Sequence, residues 1–240
     1  MAATNYAALD AELNTLLKLA VPAIGIAFRR DAAGAPPPHG GAKPAATADG
    51  RTGAVSAGCV FWMHATEREF STVAADHGNC SVGSLTHGFK TLSEAAAGAD
   101  VAALVQSEWV SPEVFPAIPT VKEKPGSVVY GPLAKLSVEP DVVFLRVNGK
   151  QLMQLHGALP ELRFEGKPQC HIIPIAKEAG AFAASTGCML SRVRTGMSNN
   201  EVTCAIPARR LGELIERLKK TQSADLAVAS YASDDAKRFA

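Results

Sequence analysis

The stretch "CVFWMHATEREFSTVAADHGNCSVGSLTHG", residues 59–88, can be aligned with a later stretch, "CHIIPIAKEAGAFAASTGCMLSRVRTG", residues 170–196. Each begins with a cysteine, has an alanine six residues later, and reaches a second cysteine that is followed eight residues on by a glycine. Such self-similarity indicates an internal duplication. We therefore predict two related halves, residues 1–125 and 126–240, that pack around a pseudo-two-fold seam.

The order of apolar and turn-forming segments sets the expected fold class. Short strand patterns alternate with helical ones, but without the strict strand–helix–strand rhythm of a parallel sheet. We predict an α+β fold of two similar lobes in one compact unit. Residues 31–55 are rich in alanine, proline and glycine, which predicts a mobile surface loop in which His39 is solvated.

Composition excludes several classes of partner. The chain has 240 residues, is 47% hydrophobic and carries a net charge of +1, so it lacks the basic surface typical of binding to nucleic acid or an anionic membrane. No targeting segment or membrane span stands out, which predicts a cytoplasmic protein. The large apolar fraction fits a homodimer as well as a monomer.

Four of the five cysteines occupy equivalent positions in the two halves, Cys59 with Cys80 and Cys170 with Cys188. Four thiolates are enough to hold a four-iron cluster or a tetrahedral zinc ion. We predict them as metal and cofactor ligands, with an iron–sulfur cluster (4Fe–4S) first and zinc as an alternative. Buried thiols that act as small hydrophobes are the simpler interpretation, and it is the one we prefer for Cys204.

The glycine-rich loop "DHGNCSVGSLTHG", residues 76–88, supplies further candidates. His77 lies three residues before Cys80, where it can act as general acid or base. Arg194 follows Cys188 and can bind an anionic substrate. If three cysteines bind iron and one position stays open, His77 and Arg194 become the predicted catalytic residues.

Several of these motifs together resemble a known family. The start "VPAIGIAF", the loop "DHGNCSVGSLTHG" and the stretch "STGCMLSRVRTGMSNNE" followed by "AIP" resemble domain-of-unknown-function family 169, the archaeal conserved region (ArCR) family. The resemblance spans about residues 11 to 220, and the loop at 31–55 looks like an insertion. It implies importance for Cys59, Cys80 and Cys188, but it implies no reaction because the family's activity is unassigned.

Three functions follow as expectations. The first is a protein that holds an iron–sulfur cluster or another thiolate-bound metal between its halves, for redox or Lewis-acid chemistry on a small molecule or with a redox partner protein. The second is a metal-free small-molecule enzyme or sensor with a reactive Cys80–His77 pair. The third is a module that binds haem or another tetrapyrrole without covalent attachment.

Overall fold

The structure is a computed structural model that describes residues 4–40, 57–195 and 197–239. These residues form one seven-stranded sheet in the order β2-β3-β1-β4-β7-β6-β5. The strands, in chain order, are β1 (Ile24–Arg29), β2 (Phe70–Thr72), β3 (Ser127–Pro132), β4 (Val142–Val147), β5 (Arg163–Glu165), β6 (Ala183–Ser185) and β7 (Val202–Pro207). Neighbouring strands are antiparallel except for β5 and β6, which are parallel.

Helices cover both faces of the sheet. They are α1 (Tyr6–Leu17), α2 (Gly58–His64), α3 (Ser81–Thr86), α4 (Leu92–Ala96), α5 (Ala99–Gln106), α6 (Gly149–Ala158), α7 (Ile172–Pro174), α8 (Met189–Thr195) and α9 (Leu211–Ala236). A π-helical turn, Ile175–Ala179, continues α7. Short 3₁₀ turns occur at Ala74–His77, Pro112–Ala117, Leu133–Lys135, Gln169–His171 and Ala208–Arg210.

Strand β4 shows why the sheet is covered twice. Its sequence "VVFLRV" is rich in β-branched and aromatic residues, and successive side chains point to opposite faces. Val143 and Leu145 enter one apolar cluster, and Val142 and Phe144 enter another. A strand that is buried on both faces reads as a nearly continuous apolar run, which Arg146 interrupts here.

The first cluster forms what we call the packing face, where α1, α6 and α9 lie on the sheet. Its fully buried members include Leu13 of α1, Leu155 of α6 and Leu214 of α9. The second cluster forms the pocket face, which is covered by α2, α3 and the segment from α7 to the π-helical turn. The pocket face also carries buried histidines and thiols among its aromatic rings.

The order of strands bears on the two predicted halves. Strands β1 and β4 pair at the centre over three residues, Ile24 to Ile26 of β1. On the outer sides, β1 pairs with β3 over six residues, and β4 with β7 over six. The prediction of a mixed helix-and-strand fold is therefore confirmed, and strands from both ends of the chain join one sheet.

Two further expectations, the mobile loop and the lack of a membrane span, can be compared with the structure only over the described residues. The predicted mobile loop at 31–55 lies largely outside them, because residues 41–56 are not described. Residues 31–40 are described, and they contact β2 through a bridge between Pro38 and Ser71. Within the described ranges, none of the helices combines the length and the apolar character needed to cross a membrane.

Candidate functional site

The four cysteines predicted from the duplication line one pocket on the pocket face. Cys59 lies in α2, Cys80 immediately precedes α3, Cys170 lies in the 3₁₀ turn before α7, and Cys188 precedes α8. We call this space the four-cysteine pocket. Its other polar or aromatic lining residues are Trp62, His87, Gln169, Ser191 and Arg194.

Cys80 is held in place because it caps α3. Its backbone is extended, and its Sγ accepts a hydrogen bond from the Gly83 N–H at 3.4 Å. This satisfies one of the amide donors that the first turn of a helix leaves without a partner. The neighbouring Ser81 N–H donates to Asp100 Oδ2 at 2.8 Å, which fixes the start of the helix from a second side.

Burial keeps three thiols of the pocket neutral at physiological pH. Burial raises the pKa of Cys59 to about 12, and it also raises the pKa of Cys80 and Cys170. The Gly83 N–H and the Arg194 guanidinium oppose this rise at Cys80 without cancelling it. A neutral thiol is a poor nucleophile, because nucleophilic attack uses the thiolate.

The predicted iron–sulfur or zinc centre is wrong. No group of three or more His, Cys, Asp or Glu side chains in the described ranges is arranged to hold a metal ion. The sulfurs face separate partners: Cys80 faces the Gly83 amide, and the Ser191 and Thr86 hydroxyls lie beside Cys59 and Cys170. The space between them, about 30 Å³, is also far too small for a haem or other tetrapyrrole.

In this structure the side chains of Cys80 and His77 have separate hydrogen-bond partners. His77 Nε2 lies 3.0 Å from Thr72 Oγ1, and Thr72 Oγ1 donates to the Val128 carbonyl at 3.2 Å. Thr72 therefore accepts from His77 Nε2–H, and the imidazole packs among the rings of Phe61 and Phe89. No hydrogen bond joins His77 to the Cys80 thiol within the part of the chain that the structure describes.

His87 contributes an acceptor to the pocket. Its Nδ1 lies 2.8 Å from the Gly83 carbonyl oxygen, which can only accept, so Nδ1 carries the proton and Nε2 carries a lone pair. Burial lowers the pKa of His87 to about 4, so the ring is neutral at physiological pH. Gly58 makes room for it, since a Cβ there would lie 3.1 Å from His87 Cε1.

Buried polar atoms with no hydrogen-bond partner cluster at this pocket. Trp62 Nε1, His87 Nε2 and Gln169 Oε1 line it, and none of them has a partner among residues 4–40, 57–195 and 197–239. The Gln169 amide is fixed at its other end, where Nε2 donates to Ser191 Oγ at 2.5 Å. Most buried polar groups in proteins are paired, so three such atoms on the residues around one space indicate that a water molecule or a ligand binds there.

Arg194 is the charged group of this pocket. It is the one Lys, Arg, Asp or Glu among the lining residues, and its side chain forms no ion pair or hydrogen bond within the described ranges. The nearby Arg192 differs, because it donates to the carbonyl oxygens of Thr186 and Glu201, both at 2.8 Å. Arg192 therefore holds the loop before α8, whereas the Arg194 guanidinium remains available.

The sequence prediction missed several residues of this face. Trp62 follows Cys59 by three positions and therefore shares a helix face with it, which is a signal that α2 could have given. Gln169 gave no signal beyond its place beside Cys170. His39, expected in solvent, is 5% exposed and its Nε2 lies 2.9 Å from His64 Nδ1. The buried position of Cys204, at 0% exposure, confirms its role as a core thiol.

Comparison with known proteins identifies a family but no reaction. No curated protein and no solved structure matches the chain. The sequence profile of DUF169, described as uncharacterised ArCR, matches residues 12–217. That range contains all four cysteines of the pocket together with His87, Gln169 and Arg194. The resemblance noted in the sequence is thereby confirmed, and the chain belongs to the uncharacterised ArCR family.

Proposed function

We propose that this protein binds a small anionic molecule in the four-cysteine pocket. The observation that carries the proposal is Arg194, the charged residue of the lining, which has no anionic partner in the described ranges. The guanidinium brings a positive charge to a pocket in which burial keeps Cys59, Cys80 and Cys170 neutral. A carboxylate or a similar planar anion matches its fork of donors and can take two parallel hydrogen bonds.

The environment of Arg194 favours a tight interaction. Neutral sulfur atoms and the Trp62 ring offer little polar competition, and an ion pair is stronger where the local dielectric is low. The same guanidinium lowers the pKa of both Cys59 and Cys80, although less than burial raises each pKa. Its charge therefore already acts on the centre of the pocket.

The atoms without partners refine the class of ligand. The Trp62 indole N–H is a donor, and its natural partner is an oxygen of the anion. His87 Nε2 is an acceptor, and so is Gln169 Oε1 with the amide oriented as it stands. A ligand that satisfies both sets carries an acid group and also an O–H or N–H donor, as hydroxy acids do.

The free volume of the four-cysteine pocket limits the size of the ligand that it can bind. The free space is about 30 Å³, enough for a group or two of water size. In this conformation the pocket therefore takes the smallest acids or the end of a larger one. A larger ligand enters when α8, which packs on α2 and carries Arg194, moves outward.

The predicted duplication fits the same proposal. Cys59 and Cys80 come from the first half of the chain, and Cys170 and Cys188 from the second. The central pairing of β1 with β4 joins one strand from each predicted half, but β3 of the second half lies between β1 and β2 of the first, so the strands of the two halves interleave in the sheet. In this interpretation the ligand lies where the two halves meet.

Titration with acetate and glycolate tests the proposal. Both are small carboxylates, and glycolate adds one hydroxyl donor. We expect glycolate to shift the Trp62 indole and His87 ring resonances in NMR spectra at lower concentration than acetate. Replacing Arg194 with glutamine should weaken either ligand by about tenfold or more, since hydrogen bonds to charged groups are worth that much.

Arg238→Gln is the matched control. It removes the same charge near the end of α9, which covers the packing face on the other side of the sheet. The control should bind glycolate as the unmodified protein does. Binding that is absent for both acids, or equal in Arg194→Gln and the unmodified protein, would refute an anion site at this pocket.

A further inference from the structure

A second concavity lies beyond α3, between α4 and the segment that follows the 3₁₀ turn Pro112–Ala117. We call it the lysine cleft. Its volume is about 440 Å³, within the usual range for small-molecule sites. Lining residues of this cleft and of the four-cysteine pocket come from the same helix, with Leu85 in the cleft and Gly83 in the pocket.

The charged residues that line the lysine cleft are mostly basic. Lys90, Lys122 and Lys124 line it, and Glu94 is the acidic residue among its lining. The Glu94 carboxylate is already used, because Oε2 accepts from the Thr91 N–H at 2.7 Å and from Thr91 Oγ1 at 2.9 Å. These bonds lower the pKa of Glu94, and Lys124 and Lys90 lower it further.

The three ammonium groups keep their charge available. None of them forms an ion pair with an acid within residues 4–40, 57–195 and 197–239. The neighbouring Glu123 is directed to Arg30, whose Nε lies 3.2 Å from its Oε2. Lys90 Nζ donates to Ser81 Oγ at 3.2 Å, a neutral partner that leaves its charge unbalanced.

The floor of the lysine cleft is apolar. Leu85, Phe89 and Val121 are buried beneath it, and Phe115 and Ile118 are half-buried at its side. A concave site with an apolar floor and cations at its rim matches a molecule with an apolar body and an anionic end. The charge of the rim sets the orientation of such a molecule, and the floor supplies its apolar contacts.

The shape of the floor is fixed by the backbone. The Val121 N–H donates to the Thr86 carbonyl at 3.0 Å, which ties the wall of the cleft to the end of α3. Gly88 has a φ of +77°, and a Cβ there would lie 2.9 Å from the Val121 carbonyl oxygen. Glycine is needed at this position both for its left-handed backbone and for the close approach of the two segments.

We propose that the lysine cleft is a second ligand site, and that it takes a small amphipathic anion with an aromatic or aliphatic body and a phosphate or carboxylate group. This site is separate from the four-cysteine pocket and does not depend on the function proposed for that pocket. Its depth favours a small molecule over the extended surface that a protein partner needs.

A pair of matched probes tests the proposal: 2-naphthyl phosphate and 2-naphthol, which share an apolar body and differ in charge. We expect the phosphate to bind more tightly, with shifts in the NMR signals of Phe89, Phe115 and Ile118. Changing Lys122 and Lys124 together to glutamine should weaken the phosphate roughly two- to thirtyfold and leave 2-naphthol unchanged. Phe115→Ala should weaken both probes.

The control is the double variant Lys135→Gln with Lys220→Gln, which removes two exposed lysines outside the cleft. It should bind both probes as the unmodified protein does. An equal loss in this control would show a general charge effect and would overturn the site. Equal binding of the two probes, or tighter binding of a short acidic peptide with one aromatic residue, would overturn the assignment to a small amphipathic anion.

Discussion

The packing face and the pocket face lie on opposite sides of one sheet and differ in how many buried polar atoms they contain. On the packing face, leucines of α1, α6 and α9 form an apolar cluster with β4 and β7. On the pocket face, six buried side-chain atoms lack a hydrogen-bond partner in the described part of the chain, and none belongs to a residue of the packing cluster. They belong to Trp62, His77, His87, Tyr130, Gln169 and His171.

The difference has an energetic meaning. A buried polar group without a partner costs about 1–3 kcal/mol, a large share of the 5–15 kcal/mol that stabilises a typical domain. The pocket face is therefore weaker than its aromatic content suggests. The packing face, whose cluster is apolar, carries no such cost in the described residues.

The largest expected effect is a loss on the packing face. Leu145→Ala removes a fully buried side chain of β4 and should lower the free energy of unfolding by about 2–5 kcal/mol, because a cavity remains among rigid neighbours. Urea denaturation measures this. Cys170→Ala is the comparison on the pocket face. If it lowered the free energy of unfolding as much as Leu145→Ala does, the two faces would not differ in stability as we expect.

A smaller effect concerns acid, and on the pocket face it involves His87. His87 has a pKa of about 4 in the folded protein and about 6.5 when unfolded. The unfolded state thus binds the proton first, so the contribution of His87 to stability is complete above pH 6.5 and is lost as the pH falls towards 4. The loss is on the order of 3 kcal/mol.

Urea denaturation at several pH values between 7 and 4 measures this loss, with His87→Gln as the comparison. The variant has no titrating ring at this position, so its stability should depend less on pH across that window. A pH dependence identical to that of the unmodified protein would show that His87 does not carry the effect.

The smallest expected effect separates the thiol of Cys80 from its role as a helix cap. Cys80→Ala removes the acceptor for the Gly83 N–H and should destabilise the protein by about 0.5–2 kcal/mol. Cys80→Ser keeps an acceptor that is common at this position, so it should retain most of the stability. Thermal denaturation of the two variants measures this difference. Equal losses of stability in both variants would mean that the sulfur contributes through packing and not as a helix cap.

The sequence predicted the positions of the pocket better than its chemistry. The alignment of the two stretches marked the four cysteines, and all four line one space. The direction of each sulfur was not predictable. It depends on contacts such as the Gly83 amide with Cys80, which form only after α3 is in place.

The surroundings of other side chains could not be predicted either, because they also depend on contacts between distant parts of the chain. Whether Trp62 Nε1 or Gln169 Oε1 finds a partner is decided by residues far away in sequence, so composition and spacing carry no signal for it. His39 illustrates the same limit, because it lies in a stretch typical of an exposed loop yet stacks on His64. Patterns of apolar residues predict strands such as β4, since burial on two faces leaves a visible run of valines.

The short pairing between β1 and β4 implies an unusual order of opening. Sheets usually fray from their edges, yet here the central ladder spans three residues, half the length of the ladder on either side of it. A carboxylate extends it, because Asp141 Oδ2 accepts from the Phe28 N–H at 2.7 Å. We therefore expect the amides of the β1–β4 ladder to exchange with solvent faster than those of the six-residue ladders on either side of it. Hydrogen exchange followed by NMR measures this difference.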